Sequence, residues 1–185
     1  MSHQFTTSYL KDSIDLFGYY KKLGERAMAQ CSDENLIAVI DSDSNSISII
    51  VKHMAGNMRS RWMDFLTTDG EKPDRNRDTE FEDPPRTRAA LMDLWERGWK
   101  CLFDALEPLT EADLARTVTI RTEPHSVMQA INRQMAHYAH HVGQVVFLAK
   151  HLTAKTTGKW DSLSVPRGQS KQFAADVAAG RKSQR

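Results

Sequence analysis

Apolar side chains recur every three or four residues in four long segments of the chain, and this spacing indicates that these segments form α-helices. Such a repeat puts the apolar positions on one face of a helix, which must be buried against a partner. We predict helices over residues 5–30, 44–66, 85–106 and 126–152. Four amphipathic helices with one long crossover loop are typical of bundles. The spacing therefore predicts an all-α, four-helix bundle.

A short element is predicted between the third and fourth helices. Residues 117–122 alternate polar and apolar side chains and are rich in β-branched types, which is the pattern of a strand. We predict either a single short strand or half of a β-hairpin with residues 114–116, ending before Pro124. Residues 1–173 are predicted to form a single domain, and the small, polar and basic residues 174–185 a disordered or frayed tail.

Composition excludes several classes of function. The formal net charge is +1, which gives no general attraction to nucleic acid. No stretch approaches the roughly 20 apolar residues that span a bilayer, so we expect no membrane segment. The N-terminal residues lack a basic region followed by an apolar run, so we expect no signal peptide. With only two cysteines, Cys31 and Cys101, the pattern favours a cytoplasmic protein.

Three histidines form the candidate metal site. His137 and His141 are four residues apart in a predicted helix, which puts their Cβ atoms about 6 Å apart. Two imidazoles at that spacing can bind one ion with bonds of about 2.0–2.1 Å. The alternative is that the pair only belongs to a half-exposed polar flank. His53, on the second helix, can supply a third ligand. Three histidines leave one tetrahedral position open, as in catalytic metal sites.

Polar residues near the histidines on the same two helices are the next candidates. Metal-bound imidazoles usually donate their second N–H group to a neighbour, and Asn57, Gln134 and Gln144 are the candidates for that role. His140 points away from the His141 side and is a reserve ligand. Tyr138 and His140 are also candidates for a general base, because they are close in sequence.

A long charged loop, residues 67–85, separates the second and third helices. Loops of this length tend to be functional or mobile. If it folds over the site, Arg75 and Arg77 can bind a carboxylate through paired hydrogen bonds. The same loop then offers carboxylates as general bases: Asp78, Glu80 and Glu82. Alternatively, these charges only pair with each other at the surface, where such pairs contribute little, about 0–1 kcal/mol.

Three segments carry a resemblance to a known family: Val51 to Phe65, the loop TTDGEKPDRNRDTEFE at 67–82, and Trp160 to Ser170. With the histidine at position 53 and the pair in HYAHH at 137–141, they resemble the DinB/YfiT-like superfamily of helical-bundle metalloproteins. Within it, the chain is similar to a subfamily of small bacterial proteins that carry this loop. The resemblance extends to about Phe173.

The resemblance implies an up-down-down-up bundle that binds a divalent ion, nickel or zinc, through His53, His137 and His141. It also implies a homodimer. Some members of the superfamily are thiol-S-transferases that use low-molecular-weight thiols such as bacillithiol or mycothiol; one is an isomerase, and others are presumed hydrolases. No particular activity follows for this subfamily.

These residues predict a metal centre with one open coordination position. A metal ion in such a site can activate a bound water or thiol by lowering the pKa of that ligand. We therefore expect a metal-dependent enzyme, either a thiol-S-transferase or a hydrolase, acting on a small molecule. A non-catalytic, dimeric metal- or ligand-binding bundle with an accessory or stress-related role is the second reading. The third is a purely structural bundle in which the histidines are bystanders.

Overall fold

A computed structural model describes residues 4–183, and this part of the chain is mostly helical. The elements, in chain order, are α1 (Tyr9–Ala29), α2 (Asp33–Ile37), α3 (Ile47–Trp62), a 3-10 helix (Asp78–Phe81), α4 (Arg88–Leu106), a second 3-10 helix (Glu111–Ala115), β1 (Thr117–Ile120), β2 (Glu123–Ser126), α5 (Val127–Thr157) and α6 (Ser170–Ala178). Among these, α1, α3, α4 and α5 correspond to the four predicted helices.

Capping side chains explain where the long helices begin. Ser8, Ser46, Thr87 and Ser126 each accept a hydrogen bond from the backbone N–H three residues further on. Such a bond satisfies a donor that has no partner inside the helix. Phe5, predicted as the start of the first helix, lies before the Ser8 cap and is 89% exposed. That part of the prediction is wrong, because the cap rather than the apolar repeat starts the helix.

The predicted strand is present as β1 and forms part of a β-hairpin before α5, but the predicted partner strand is wrong. β1 pairs in antiparallel register with β2, whereas residues 114–116 lie in and after the second 3-10 helix. Pro124 lies inside β2, opposite Thr119. The two strands are joined by Arg121 and Thr122, which both have positive φ angles, 55° and 67°. The turn positions hold neither glycine nor asparagine, the residues that usually predict such a turn from sequence.

One aromatic side chain from each long helix meets in the centre of the core. Phe17 of α1 contacts Trp62 of α3, Trp99 of α4 and Tyr138 of α5, with ring centroids 6.5, 6.4 and 6.0 Å apart. All four residues are at most 2% exposed. α3 packs against both α4 and α5, and α1 packs against α5. This packing places the middle of α3 beside the middle of α5.

We expect Gly98→Ala to destabilise the protein, because α3 and α4 approach closely at this glycine. A Cβ atom there would lie 2.9 Å from Cα of Ala55 and 3.2 Å from Sδ of Met58. The expected loss in the free energy of unfolding is about 1–3 kcal/mol. Gly143→Ala is the matched control, because a Cβ atom on that glycine of α5 meets nothing within 4 Å. It should stabilise by about 0.5–1 kcal/mol. Urea unfolding measures both, and equal effects would contradict the prediction.

The C-terminal segment predicted to be frayed or disordered begins within α6. Asp176 of this helix accepts hydrogen bonds from Arg181, whose Nη2 atom is 2.8 Å away. Residues 184 and 185, the end of the predicted tail, lie outside the described residues, as do residues 1–3 of the predicted domain.

Candidate metal centre

Three imidazole rings converge where α3 crosses α5. His53 is buried in the middle of α3, and His137 and His141 lie one turn apart on α5. Nε2 of His137 is 3.3 Å from Nε2 of His53 and 3.1 Å from Nε2 of His141. The candidate ligand atoms of the three residues all lie within 4.8 Å of one another. The cluster therefore unites residues 84 positions apart in the chain.

Hydrogen bonds at the other ring nitrogen determine where two of these imidazoles carry their protons. Nδ1 of His53 donates to Oε2 of Glu80 at 2.9 Å, and Nδ1 of His141 donates to Oε1 of Gln144 at 2.8 Å. Carboxylate and amide oxygens only accept, so both Nδ1 atoms must be protonated. In the neutral rings, the Nε2 lone pairs of His53 and His141 therefore face the common centre.

This arrangement fits a divalent cation. Tetrahedral bonds of about 2.0–2.1 Å would separate two ligand nitrogens by about 3.3–3.4 Å, and the two separations at His137 are 3.3 and 3.1 Å. A proton on Nε2 of His137 could satisfy only one of the two lone pairs that approach it, whereas a cation can satisfy all three rings. The three histidines could thus hold a metal ion and leave one tetrahedral position open.

Burial keeps the rings on α5 neutral. It lowers the pKa of His137 to about 3, with further repulsion from His141 and His53. Burial likewise lowers the pKa of His141 to about 4, against a smaller opposite effect of the Gln144 hydrogen bond. Both rings are therefore neutral at neutral pH, with a lone pair on one ring nitrogen, which is the form that can coordinate a metal.

The long loop delivers Glu80 to the site. The 3-10 helix Asp78–Phe81 packs on α3, where Gly56 leaves room for the Glu80 side chain. A Cβ atom on Gly56 would lie 2.7 Å from Cδ of Glu80. Burial by itself would raise the pKa of Glu80, but hydrogen bonds from His53 and Arg75 outweigh it and lower that pKa. Glu80 is thus an ionised partner of His53 that is only 6% exposed.

Ion pairs extend from Glu80 through the rest of the loop. Arg75 donates from Nε and Nη2 to the two carboxylate oxygens of Glu80, at 2.8 and 2.9 Å. Arg75 also pairs with Glu71 at 3.2 Å, and Glu71 pairs with Arg61 at 3.1 Å and with Arg121 at 2.8 Å. The charges of the loop do pair with each other, as one sequence reading expects, but the Arg75–Glu80 pair is buried against the histidines.

The same loop is tied to the β-hairpin by Asp69. Its carboxylate accepts the backbone N–H groups of Arg121 and Thr122 at 2.8 and 2.7 Å. These are the two residues with positive φ. A carboxylate from a distant loop thus stabilises a turn that the local sequence does not favour. The turn also places Arg121 beside Glu71.

A cavity of about 320 Å³ opens beside His53 and His137. Asn57 and Gln134 line it near the histidines. The remaining lining residues are five arginines: Arg61, Arg75, Arg77, Arg121 and Arg133. The nine described residues that line this cavity include no carboxylate.

Comparison with known protein families assigns the chain to one of them. Residues 4–169 match a family described as a protein of unknown function, DUF1572. The chain belongs to the DUF1572 family. Neither the curated proteins nor the solved structures contain a match to it. Between residues 4 and 183 of this DUF1572 chain, no helix combines the length and apolar character needed to cross a membrane.

The DUF1572 chain brings some predicted neighbours to the histidines and keeps others away. Gln144 contacts His141, as described above. Tyr138 is instead buried between Trp62, which donates to its hydroxyl at 3.1 Å, and Asn57, whose Oδ1 accepts from it at 3.0 Å. Burial also raises the pKa of Tyr138, so this phenol is a poor candidate for a general base.

His140 lies outside the cluster, on the exposed side of α5, with its ring centroid 5.2 Å from that of His141. It lines a different cavity. In the loop of this DUF1572 protein, Asp78 and Glu82 are exposed, and Arg77 stacks over the ring of Phe81, with Cζ 4.9 Å from its centroid. Of the three loop carboxylates predicted as bases, Glu80 is the one that contacts a histidine.

Sequence reasoning missed several residues of the site. Arg61 follows His53 by eight residues, and Arg133 precedes His137 by four, so helical spacing could have placed both on the histidine faces. No local signal marks Glu71, Arg121 or Phe81, because each reaches the site through the path of a loop or turn.

Proposed function

We propose that this protein binds one divalent metal ion through His53, His137 and His141 and uses it to activate a water or a thiol for attack on a small molecule. One observation carries the proposal: three Nε2 atoms meet, and the protons of His53 and His141 are held on the opposite side of each ring by Glu80 and Gln144. In a purely structural cluster, lone pairs that face each other would repel and gain no hydrogen bond, whereas a bound cation accepts electron density from all of them.

A divalent ion, when bound, lowers the pKa of a coordinated water or thiol and so supplies a nucleophile near neutral pH. The chain's own residues would prepare the site. Glu80 and Gln144 orient two ligand rings, and orientation of this kind raises their basicity toward a metal. Glu80 already accepts hydrogen bonds from His53 and Arg75, so we assign it a positioning role. The arginines beside the site would hold the substrate.

Zinc or nickel is the ion we propose, because three neutral imidazoles suit both metals. Membership of the DinB/YfiT-like superfamily, with an up-down-down-up four-helix bundle, is also part of the proposal. It is supported by the order of the ligands, one on the second long helix and two on the last.

Further parts of the proposal concern partners and location. We propose a low-molecular-weight thiol or another small molecule as the substrate, a homodimer as the working form, and the cytoplasm as the compartment. The last is supported by Cys31 and Cys101, which are free thiols and suit a reducing environment.

Metal analysis followed by activity screening tests the proposal. The purified protein should contain about one equivalent of zinc or nickel per chain, as a three-histidine site requires. Metal-loaded and metal-stripped protein should then be compared on panels of thiols with electrophiles and of hydrolysable esters and amides. Turnover that depends on the metal supports the enzyme. Stoichiometric metal without turnover on any panel would favour the non-catalytic binding protein, and absence of bound metal would refute both.

A further inference from the structure

The cavity beside the three histidines has an unusual charge. Five arginines line it, and no carboxylate belongs to its described lining. We propose that this cavity binds a small molecule with two or more negative charges on carboxylate or phosphate groups. As an identification of the substrate class, this inference rests on the proposed metal function, but binding of the anion itself does not require the metal.

Within residues 4–183, carboxylates form ion pairs with only some of these arginines. Glu71 pairs with Arg61, Arg75 and Arg121, and Glu80 pairs with Arg75. These two carboxylates are the ion-pair partners of three of the five guanidinium groups within residues 4–183, and the lining itself is positively charged. Positive charge concentrated in a cleft raises the local concentration of anions.

Two of the arginines have no carboxylate partner among residues 4–183, and both are exposed. These are Arg77 and Arg133, which approach the cavity from the loop and from α5 respectively. The planar guanidinium group can bind carboxylate or phosphate oxygens through two parallel hydrogen bonds. Their unused donors are the groups that a bound anion would occupy.

Stacking holds Arg77 close to the candidate metal ligands. The ring of Phe81 stacks on the ring of His53, with centroids 4.8 Å apart. The guanidinium group of Arg77 lies over the Phe81 ring, with Cζ 4.9 Å from its centroid. Arg77 also lines the same cavity as His53 and His137, so an anion bound by Arg77 would share that cavity with two of the candidate metal ligands.

Two buried amides add donors and acceptors to the same cavity. Tyr138 donates to Oδ1 of Asn57, which leaves Nδ2 of Asn57 without a partner within residues 4–183. Oε1 of Gln134 also has no partner, although Gln134 is only 2% exposed. Buried polar groups are rarely left unsatisfied. A ligand group that accepts hydrogen bonds could pair with Nδ2 of Asn57, because Asn57 lines the cavity.

The volume of about 320 Å³ restricts the ligand to a small metabolite, since pockets for small molecules begin at about 300 Å³. A polymer such as nucleic acid does not fit inside it. The proposed ligand is therefore a compact polyanion, either a dicarboxylate or a phosphate ester.

Calorimetric titration of metal-free protein with inorganic phosphate and with succinate tests the proposal at constant ionic strength. We expect saturable binding of at least one probe, and the tighter one identifies the carboxylate or phosphate class. The double variant Arg77→Gln/Arg133→Gln should weaken binding by at least about tenfold, because each removes charged hydrogen bonds. It should keep the metal content of the wild type, because neither residue contacts a histidine nitrogen.

The double variant Arg86→Gln/Arg97→Gln is the matched control. It changes the net charge equally and replaces two exposed arginines that do not line the cavity. Its affinity for both probes should stay within about twofold of the wild type, since distant exposed charges are screened. Absence of binding by the wild type, or equal losses in the two double variants, would overturn the proposal. If the anion binds but no metal does, the substrate role fails together with the proposed function.

Discussion

His137→Ala should abolish stoichiometric metal binding. Nε2 of His137 is the atom that lies within 3.3 Å of both other Nε2 atoms, so its loss leaves two ligands and a gap between them. Removing a residue that merely orients a ligand typically lowers metal affinity 10–100-fold, and loss of a ligand itself should exceed about 100-fold. Dialysis against zinc followed by elemental analysis gives the occupancy, and competition with a chromogenic chelator gives the affinity.

His140→Ala provides the control for this experiment. It removes an imidazole from the same helix, three residues further on, whose ring lies outside the cluster. Occupancy and affinity should equal those of the wild type, and circular dichroism should show that both variants are folded. If His137→Ala kept a full equivalent of zinc, the proposed ligand set would be wrong. If His140→Ala lost it, the metal would lie elsewhere on α5.

Glu80→Ala should weaken both metal binding and the fold. Without this carboxylate, Nδ1 of His53 loses its acceptor, and we expect metal affinity to fall about 10–100-fold. The buried guanidinium of Arg75 keeps only Glu71 as a partner. Breaking a buried ion pair typically costs 3–5 kcal/mol, so with this remaining partner we expect the metal-free protein to lose about 3 kcal/mol. Urea unfolding without metal measures the second effect separately from the first.

Two further variants identify the cause. Glu82→Ala removes an exposed carboxylate from the same loop and should change metal affinity and stability little. Glu80→Gln keeps an acceptor for His53 but not the charge that pairs with Arg75. It should therefore lose less metal affinity than Glu80→Ala while remaining less stable than the wild type. A Glu80→Ala variant that behaved like Glu82→Ala would show that the loop contact is unimportant.

The histidine pair on α5 illustrates what local spacing can predict. His137 and His141 are four residues apart, so any α-helix through them places both rings on one face. Their cooperation with His53 was a hypothesis about helix pairing. It depended on α3 lying beside α5 at the right height, and no helical period contains that information. Glu80 is a sharper case, because its contact with His53 requires the loop to return to α3 at Gly56.

The hairpin before α5 shows where local sequence rules do not predict the structure. Its turn residues, Arg121 and Thr122, adopt positive φ angles that such side chains seldom take. The carboxylate of Asp69, about 50 positions earlier, accepts both of their N–H groups. Local turn rules failed here because a tertiary hydrogen bond supplied the stabilisation that the sequence of the turn lacks.

The sequence by itself determined the helices and the pairing of His137 with His141, because caps and apolar repeats act within a few residues. Only the tertiary structure decided that His53 completes the cluster, that Glu80 orients it, and that arginines from α3, α5, the loop and the hairpin surround one cavity. Those contacts join segments tens of residues apart. Their positions follow from how helices pack and where a loop returns, and these are properties of the whole chain rather than of any local pattern.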